Sequence, residues 1–570
     1  MRKLYAWVFM FAVLMSGCAA SAETAAPVTS EEPSAEMFTE RELDYGYEET
    51  AAVIELKDKS VTIDSEGTYI IRGSLQDGSL IVDADKSQKI QLVLDGVNIN
   101  SESSAAIYVK QADKVFITLA EGSENILSNG GSFENIDENN IDGVIFSKDD
   151  LCINGTGSLK INSPADHGIV CKDSLAISGG SFDVEAASHA VSCKEDISIT
   201  GANFVLNSGK DGIHAENSDD SSLASIYIES GEFVIKAAGD GISADAGLNI
   251  IGGSFNIVSG GGSAEAEQKA SEQMPNGFMG GGKRGFGGPG GGPGFPMEEV
   301  PAAETEDTVS TKGIKAGGEL VISGGQFVID SADDGLHSNF SINIKGGDFK
   351  ISTRDDGFHA DDTLTIAAGT ISIEKSYEGL EALHLLLSGG NITLNASDDG
   401  LNAAGGTDQS GMGGRGQDRF GPPGMSMNSE GTIVISGGTL YIKAEGDGID
   451  ANGSLEITGG DTVVCTPTRG DTATMDYDVS AAISGGSFIG TGAYGMAQSF
   501  SESEQAVIAV SVGNCSAGTE IKLTDGNGKE LVSYSPEYDF AVVIISNEQL
   551  IKGESYTLTV GTLTGEIEAY

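Results

Sequence analysis

The sequence predicts an all-β protein: a parallel β-helix of coils about 22 residues long, followed by a small C-terminal antiparallel module. Three observations predict it. An Asp-Gly-hydrophobe corner recurs at Asp142-Gly143-Val144, Asp211-Gly212-Ile213, Asp240-Gly241-Ile242, Asp334-Gly335-Leu336, Asp356-Gly357-Phe358, Asp399-Gly400-Leu401 and Asp447-Gly448-Ile449. Between corners stands a strand, a Gly-Gly pair and a second strand. Leu248-x-Ile250-x-Gly252-Gly253-x-Phe255-x-Ile257 and Leu320-x-Ile322-x-Gly324-Gly325-x-Phe327-x-Ile329 are two copies. Finally, no segment beyond the N-terminus carries a helical period of any length, which argues against a leucine-rich or α-solenoid fold.

The chain opens with Arg2 and Lys3 before an apolar run, Leu4 to Met15, and then Ser16-Gly17-Cys18. That order predicts a signal peptide over 1–17, too short to span a bilayer comfortably. It resembles a bacterial lipoprotein signal, with Met15 where leucine is usual. Acylation of Cys18 would then anchor the protein to the membrane, on its extracellular side. The alternative is an ordinary signal cut near Ala20-Ser21-Ala22. Residues 18–50, rich in Ala, Ser, Thr, Pro and Glu, read as a flexible tether.

Charge bounds the partners. The chain has 32 Lys+Arg against 85 Asp+Glu, a formal charge of −53, and loss of Arg2 and Lys3 with the signal makes it more negative. Such a field repels nucleic acid and anionic lipid heads, so a polyuronate would need a bridging cation. Six cysteines in 570 residues make no disulfide scaffold. Cys171 and Cys193, 22 residues apart, are expected as stacked free thiols.

The coils are placed at 51–500. Gly313, Gly335, Gly357 and Gly379 keep a spacing of 22, and Gly400 follows after 21. Alternation puts Leu, Ile and Phe on one face of each strand, and stacking the repeats buries that face, with like residues about 4.8 Å apart. Phe182, Phe204, Phe233, Phe255, Phe327 and Phe349 follow the Gly pair and are assigned to the core. Insertions rich in Gly, Pro, Met and Phe interrupt the coils at 260–311 and 404–430. Residues 501–570 change to longer strands separated by turns such as Asp525-Gly526-Asn527-Gly528 and read as a capping module.

The corner carboxylates carry the candidate chemistry. Asp333-Asp334, Asp355-Asp356 and Asp398-Asp399 occupy equivalent corners, with Glu378 between them and Asp211, Asp240 and Asp447 extending the column. Stacking brings these like charges to within about 5 Å, which something must offset. Oxygen ligands at turns suit Ca²⁺. The alternative is that each Asp caps its own turn. His214, His337 and His359 follow the corner hydrophobe, so His337 and His359 should stack, as a polar ladder on an exposed face. Abundant acids single out no catalytic pair; a lyase would need a base such as Arg354.

Gly67-Thr68-Tyr69-Ile70-Ile71-Arg72-Gly73, Leu92-Val93-Leu94-Asp95-Gly96-Val97-Asn98-Ile99, the run from Ala112 to Leu119 and the run from Lys148 to Gly157 resemble the bacterial carbohydrate-binding β-helix family of cellulose-degrading clostridia and relatives. The Asp-Gly corners and Lys552-Gly553-Glu554-Ser555-Tyr556-Thr557 fit it as well. The resemblance implies a right-handed β-helix similar to polysaccharide lyases, Ca²⁺ between coils, and binding of cellulose or pectin-like polysaccharide without catalysis. Ala190 and Glu378 depart from the corner pattern. The sequence thus predicts a lipid-anchored, calcium-stabilised carbohydrate-binding protein; the alternatives are a lyase or hydrolase on the same fold, or an adhesin.

Overall fold

Strict alternation of apolar and polar residues sets the strands. In Ala202–Ser208, Phe204, Leu206 and Ser208 point inward while Asn203, Val205 and Asn207 face out. A strand with one apolar face is stable only when that face is covered, and here the rest of each coil covers it. One turn of the stack runs through Leu336–Ser338, Ser341–Ile344 and Asp348–Ser352. Each of these pairs in parallel with its counterpart in the next turn, as in Leu336↔Phe358, Ile342↔Leu364 and Phe349↔Ile371. The result is a β-helix-like stack.

The computed structural model describes residues 37–48, 50–134, 139–220, 222–264, 310–404, 430–470 and 472–570. The signal segment, Cys18 and nearly all of both insertions lie outside these residues. Among the described residues, 43 strands join in one mostly parallel network, and four more form a separate antiparallel sheet. The only described helix is the short turn Glu40–Leu43.

The core is a set of like-with-like columns. Phe204, Phe233, Phe255, Phe327 and Phe349 follow one another in register. Their ring centroids lie 5.3, 4.6, 4.8 and 4.6 Å apart, stacked nearly parallel. All are buried, as expected. Phe255 pairs directly with Phe327, and Leu401 with Ile449, so the coils on either side of each insertion touch without a break. Cys171 and Cys193 are likewise register partners, buried and unbridged.

Glycine is needed at the corners for approach. A Cβ on Gly357 would lie 2.4 Å from the carbonyl oxygen of Gly379 in the next coil and 2.3 Å from Ile373. In the Gly-Gly pair the second member needs backbone freedom too, as Gly325 has φ 118°.

At the N-terminal edge the structure corrects one expectation. The tether predicted to run to residue 50 is already packed at Phe38, which lies with Phe116, Cys152 and Ala176. Thr39 and Glu42 form a capping box, and Glu42, 6 % exposed, pairs with Lys114 at 2.7 Å. This short segment shields the outer face of the first coils. At the other end Phe540–Ser546 pairs antiparallel with Ser487–Gly492 and Val507–Cys515, which stops the parallel stack by occupying its open edge.

Close approach at the corner yields a direct test. Gly357→Ala is expected to destabilise the chain by about 1–3 kcal/mol through overpacking. Gly526→Ala, in a turn where a Cβ would meet nothing, should leave the denaturation midpoint unchanged.

Candidate functional site

At eight of the described corners a backbone N–H points along the stack, away from any strand ladder. A buried N–H needs an acceptor, and there the corner side chain of the preceding coil provides it. The N–H groups of Asp240 and Lys312 donate to Oδ1 of Asp211 and Asp240, both at 2.7 Å. Those of Asp356 and Glu378 donate to Oδ1 of Asp334 and Asp356 at 3.1 and 3.2 Å. Those of Asp447 and Ala473 donate to Oδ1 of Asp399 and Asp447 at 2.6 Å. In two coils without a corner acid an imidazole does the same: His189 N–H donates to His167 Nδ1 and Asp211 N–H to His189 Nδ1, both at 3.2 Å. The corner acids therefore cap a turn, but the turn of the next coil.

Column stacking leaves each acid's second oxygen facing a parallel column, three residues downstream of each corner. Its members, in register, are His214, Ser243, Lys315, His337, His359 and Glu381, then Asn402 and Asp450. Opposite the earlier acids these residues are His214, Ser243, Lys315, His337 and His359. His214 Nδ1 lies 2.7 Å from Asp211 Oδ2, although off the hydrogen-bond axis. His337 Nδ1 lies 2.8 Å from Asp334 Oδ2, and His359 Nδ1 3.2 Å from Asp356 Oδ2. Lys312, which replaces a corner acid, inserts its ammonium between Asp333 (2.8 Å) and Asp334 (3.0 Å). Burial alone would raise the Asp334 carboxyl, but Lys312, His337 and His359 outweigh it and hold the group well below the usual range.

Further along, the compensation fails. Glu381 stands opposite Glu378, Asn402 opposite Asp399, and Asp450 opposite Asp447. Burial, then Glu381, Asp356 and Asp399, push Glu378 well above the ordinary carboxyl range; burial, then Asp398, Asp447 and Asp450, do the same to Asp399. Burial and Asp356 raise Glu381 to about 8 against the opposing pull of His359. Asn402 donates to Glu378 Oε2 at 2.7 Å, but its Oδ1 is buried with no hydrogen-bond partner.

All ten predicted metal-ligand residues fall along this edge. Asp333, Asp334 and Asp355 bring three carboxylates within 4.8 Å of one another, with Lys312 bound to two of them. Asp211 and Asp240 meet the chain's own cations, Lys315 lying 3.9 Å from Asp240. Glu378, Asp398, Asp399 and Asp447 lie in the acid-rich stretch, and Asp356 at the boundary. The stacking of His337 and His359 is as expected, with centroids 5.0 Å apart. Their expected exposure is not: they are 4 % and 1 % exposed, because the second column tucks under the corner acids. Sequence reasoning missed His189, Lys312, Glu381, Asn402 and Asp450. The fixed offset of three residues from each corner would have found the last three.

Stacked parallel coils with repeating outer faces, and one edge carrying a continuous file of polar and charged groups, define a β-solenoid protein. The chain belongs to the family described as carbohydrate-binding domain-containing protein, whose model matches residues 57–357 and 352–528. A protein of that description from Acetivibrio thermocellus is 38 % identical over 135 residues, covering 23 % of this chain and 47 % of that protein. The match thus spans about half of the relative's length. A solved structure, a gadolinium derivative of the polysaccharide lyase-like protein from C. thermocellum, is 32 % identical, covers 37 % of this chain and 90 % of that one, and superposes with a TM-score of 0.35.

The raised carboxyls make stability depend on pH. A carboxyl whose folded pKa lies above its unfolded value stabilises the fold while protonated, and that contribution is lost as pH rises through the folded value. For Glu381 the window runs from its ordinary 4.5 to about 8, and Glu378 and Asp399 act with the same sign. Without added metal, the melting temperature should fall between these limits, and Glu381→Gln should flatten the fall.

Proposed function

We propose that the chain is a lipid-anchored, calcium-stabilised protein that holds extracellular polysaccharide at the cell surface without cleaving it. Membership of a carbohydrate-binding family across most of the coil region is the observation that carries the reading. Cellulose and pectin-like chains are the proposed ligands, and acylated Cys18 the proposed anchor. We read the stack as a right-handed β-helix with coils of about 22 residues, since parallel crossovers take that hand in nearly every protein.

The acid-rich stretch supports calcium. Asp399, Asp447 and Asp450 offer carboxylates beside the unpartnered Asn402 Oδ1, and an all-oxygen donor set with excess negative charge suits Ca²⁺. At Asp333, Asp334 and Asp355, by contrast, a metal ion would compete with Lys312. Bound Ca²⁺ supplies the positive charge that this part of the edge lacks.

The glycan face is proposed on outward-facing residues of the strands that lead into the corners. Asn162, Glu185, Asn207 and Lys236 form an exposed polar row, one residue per coil, beside the exposed Val205 and Val234. A shallow groove runs past Asn162, Glu185 and Asn207. A row that repeats at the strand spacing presents one contact per coil to an extended polymer, so weak contacts accumulate.

The test pairs binding with chemistry. The full chain should be retained on insoluble cellulose or pectin, release no reducing or unsaturated sugar, and melt at lower temperature in EDTA, with Ca²⁺ restoring it. Released sugar that disappears in Arg354→Ala would establish a lyase instead. Failure to bind either glycan, with capture of a protein partner, would establish an adhesin.

A further inference from the structure

Five of the chain's six histidines, His167, His189, His214, His337 and His359, stand in the corner edge. In His167 and His189 the Nδ1 lone pair is occupied by a backbone N–H. His337 is satisfied at both nitrogens, by Asp334 at 2.8 Å and Asn339 at 2.8 Å. His359 differs. Its Nδ1 lies 2.8 Å from Glu381 Oε2 and 3.2 Å from Asp356 Oδ2. Its Nε2 is buried and has no hydrogen-bond partner, although Asp361 Oδ1 is 3.4 Å away and off axis.

The ring is 1 % exposed, and although burial opposes it, Asp356, Asp361 and Glu381 push its pKa well above the usual imidazole value. With the proton on Nδ1, Nε2 is a buried acceptor without a donor. With the proton on Nε2, the Nδ1 lone pair faces two carboxylate oxygens. With both, the Nε2 proton still lacks an aligned acceptor. The two carboxylates at Nδ1 call for positive charge, which a second ring proton or a metal ion can supply; a metal ion at Nδ1 would leave Nε2–H beside Asp361 Oδ1, 3.4 Å away. A metal-bound imidazole that donates its other N–H to a carboxylate is the usual outer arrangement of such centres.

We infer that Asp356, His359 and Glu381 form a binding site for a first-row transition-metal dication, Zn²⁺ being representative, with Asp361 as the residue that positions the imidazole. One atom of each of the three lies within 4.8 Å of the others. The imidazole donor favours Zn²⁺ over Ca²⁺, which takes oxygen ligands. Asp356 and His359 belong to one coil and Glu381 to the next, so the ion ties two coils together. This inference is independent of calcium and of the glycan.

The test is a Zn²⁺ titration of the full chain in saturating Ca²⁺, read by competition with a chromophoric chelator. The wild type should take up Zn²⁺ with proton release. His359→Gln and Glu381→Gln should each lose one equivalent, His384→Gln none, and Asp361→Asn should weaken that equivalent by about 10–100-fold. Should His359→Gln fail to fold, Asp361→Asn and Glu381→Gln decide the matter. No Zn²⁺ uptake by the wild type, or unchanged uptake in these variants, overturns the site. Neither result depends on glycan retention, so the two readings fail separately.

Discussion

The stack depends on one hydrogen bond repeated along its edge. At eight of the described corners the backbone leaves the strand ladder and exposes an N–H toward the coil before it. An unpaired buried N–H costs about 1–3 kcal/mol, and such a cost at every coil would exceed the marginal stability of an ordinary domain. The remedy is a side chain with a lone pair aimed along the stack. Aspartate meets the need with Oδ1 at 2.6–3.1 Å in Asp211, Asp240, Asp334, Asp399 and Asp447. Histidine meets it with Nδ1 in His167 and His189. The shared requirement is the acceptor, and charge comes with most of the residues that satisfy it.

Charge then becomes the second constraint. A file of buried acids one strand spacing apart is unfavourable unless paired. The column three residues downstream is where the pairing occurs, because its side chains face the free oxygens. From Asp211 to Asp356 that column supplies His214, Lys315, His337 and His359, with Lys312 in the corner column itself. From Glu378 onward it supplies Glu381, Asn402 and Asp450. The same backbone geometry thus yields a self-neutralised edge in one stretch and an acid-rich edge in the next. The pKa directions follow most of this difference: Asp211 and Asp334 are held down, while Glu378, Glu381 and Asp399 are pushed up; Asp240, with Lys315 no nearer than 3.9 Å, is raised by burial and by Asp211.

How much of this was legible in the sequence follows from which interactions repeat by identity. The Phe column, the corner glycines and the Cys171–Cys193 pair repeat by residue type at a fixed spacing, so periodicity finds them. The corner acids repeat nearly as well, which placed all ten candidates on one edge. The second column repeats by position only: histidine, serine, lysine, glutamate, asparagine and aspartate share a geometry and no common chemistry. For that reason Glu381, Asn402 and Asp450 escaped notice, and His337 and His359 were expected on an exposed face. Phe38 and Glu42 were hidden differently. They close a small tertiary contact from within a segment whose composition is that of a tether.

The boundary between the two stretches of the edge is where exogenous cations have most to contribute. Above it, Lys312 holds Asp333 and Asp334 with a covalently attached charge, so an added ion must displace a partner that is already at full effective concentration. Below it, Asn402 Oδ1 is buried with no hydrogen-bond partner. At the boundary itself His359 belongs to the compensated column while its neighbour Glu381 belongs to the acid-rich one. A nitrogen and two carboxylates from two coils therefore meet where the chain's own cations run out. Soft and hard donors are separated along a single edge in this way, nitrogen first and oxygen alone afterwards. With the two proposed sites filled, an edge graded so would discriminate between metal ions by position, although every coil along it is built on the same plan.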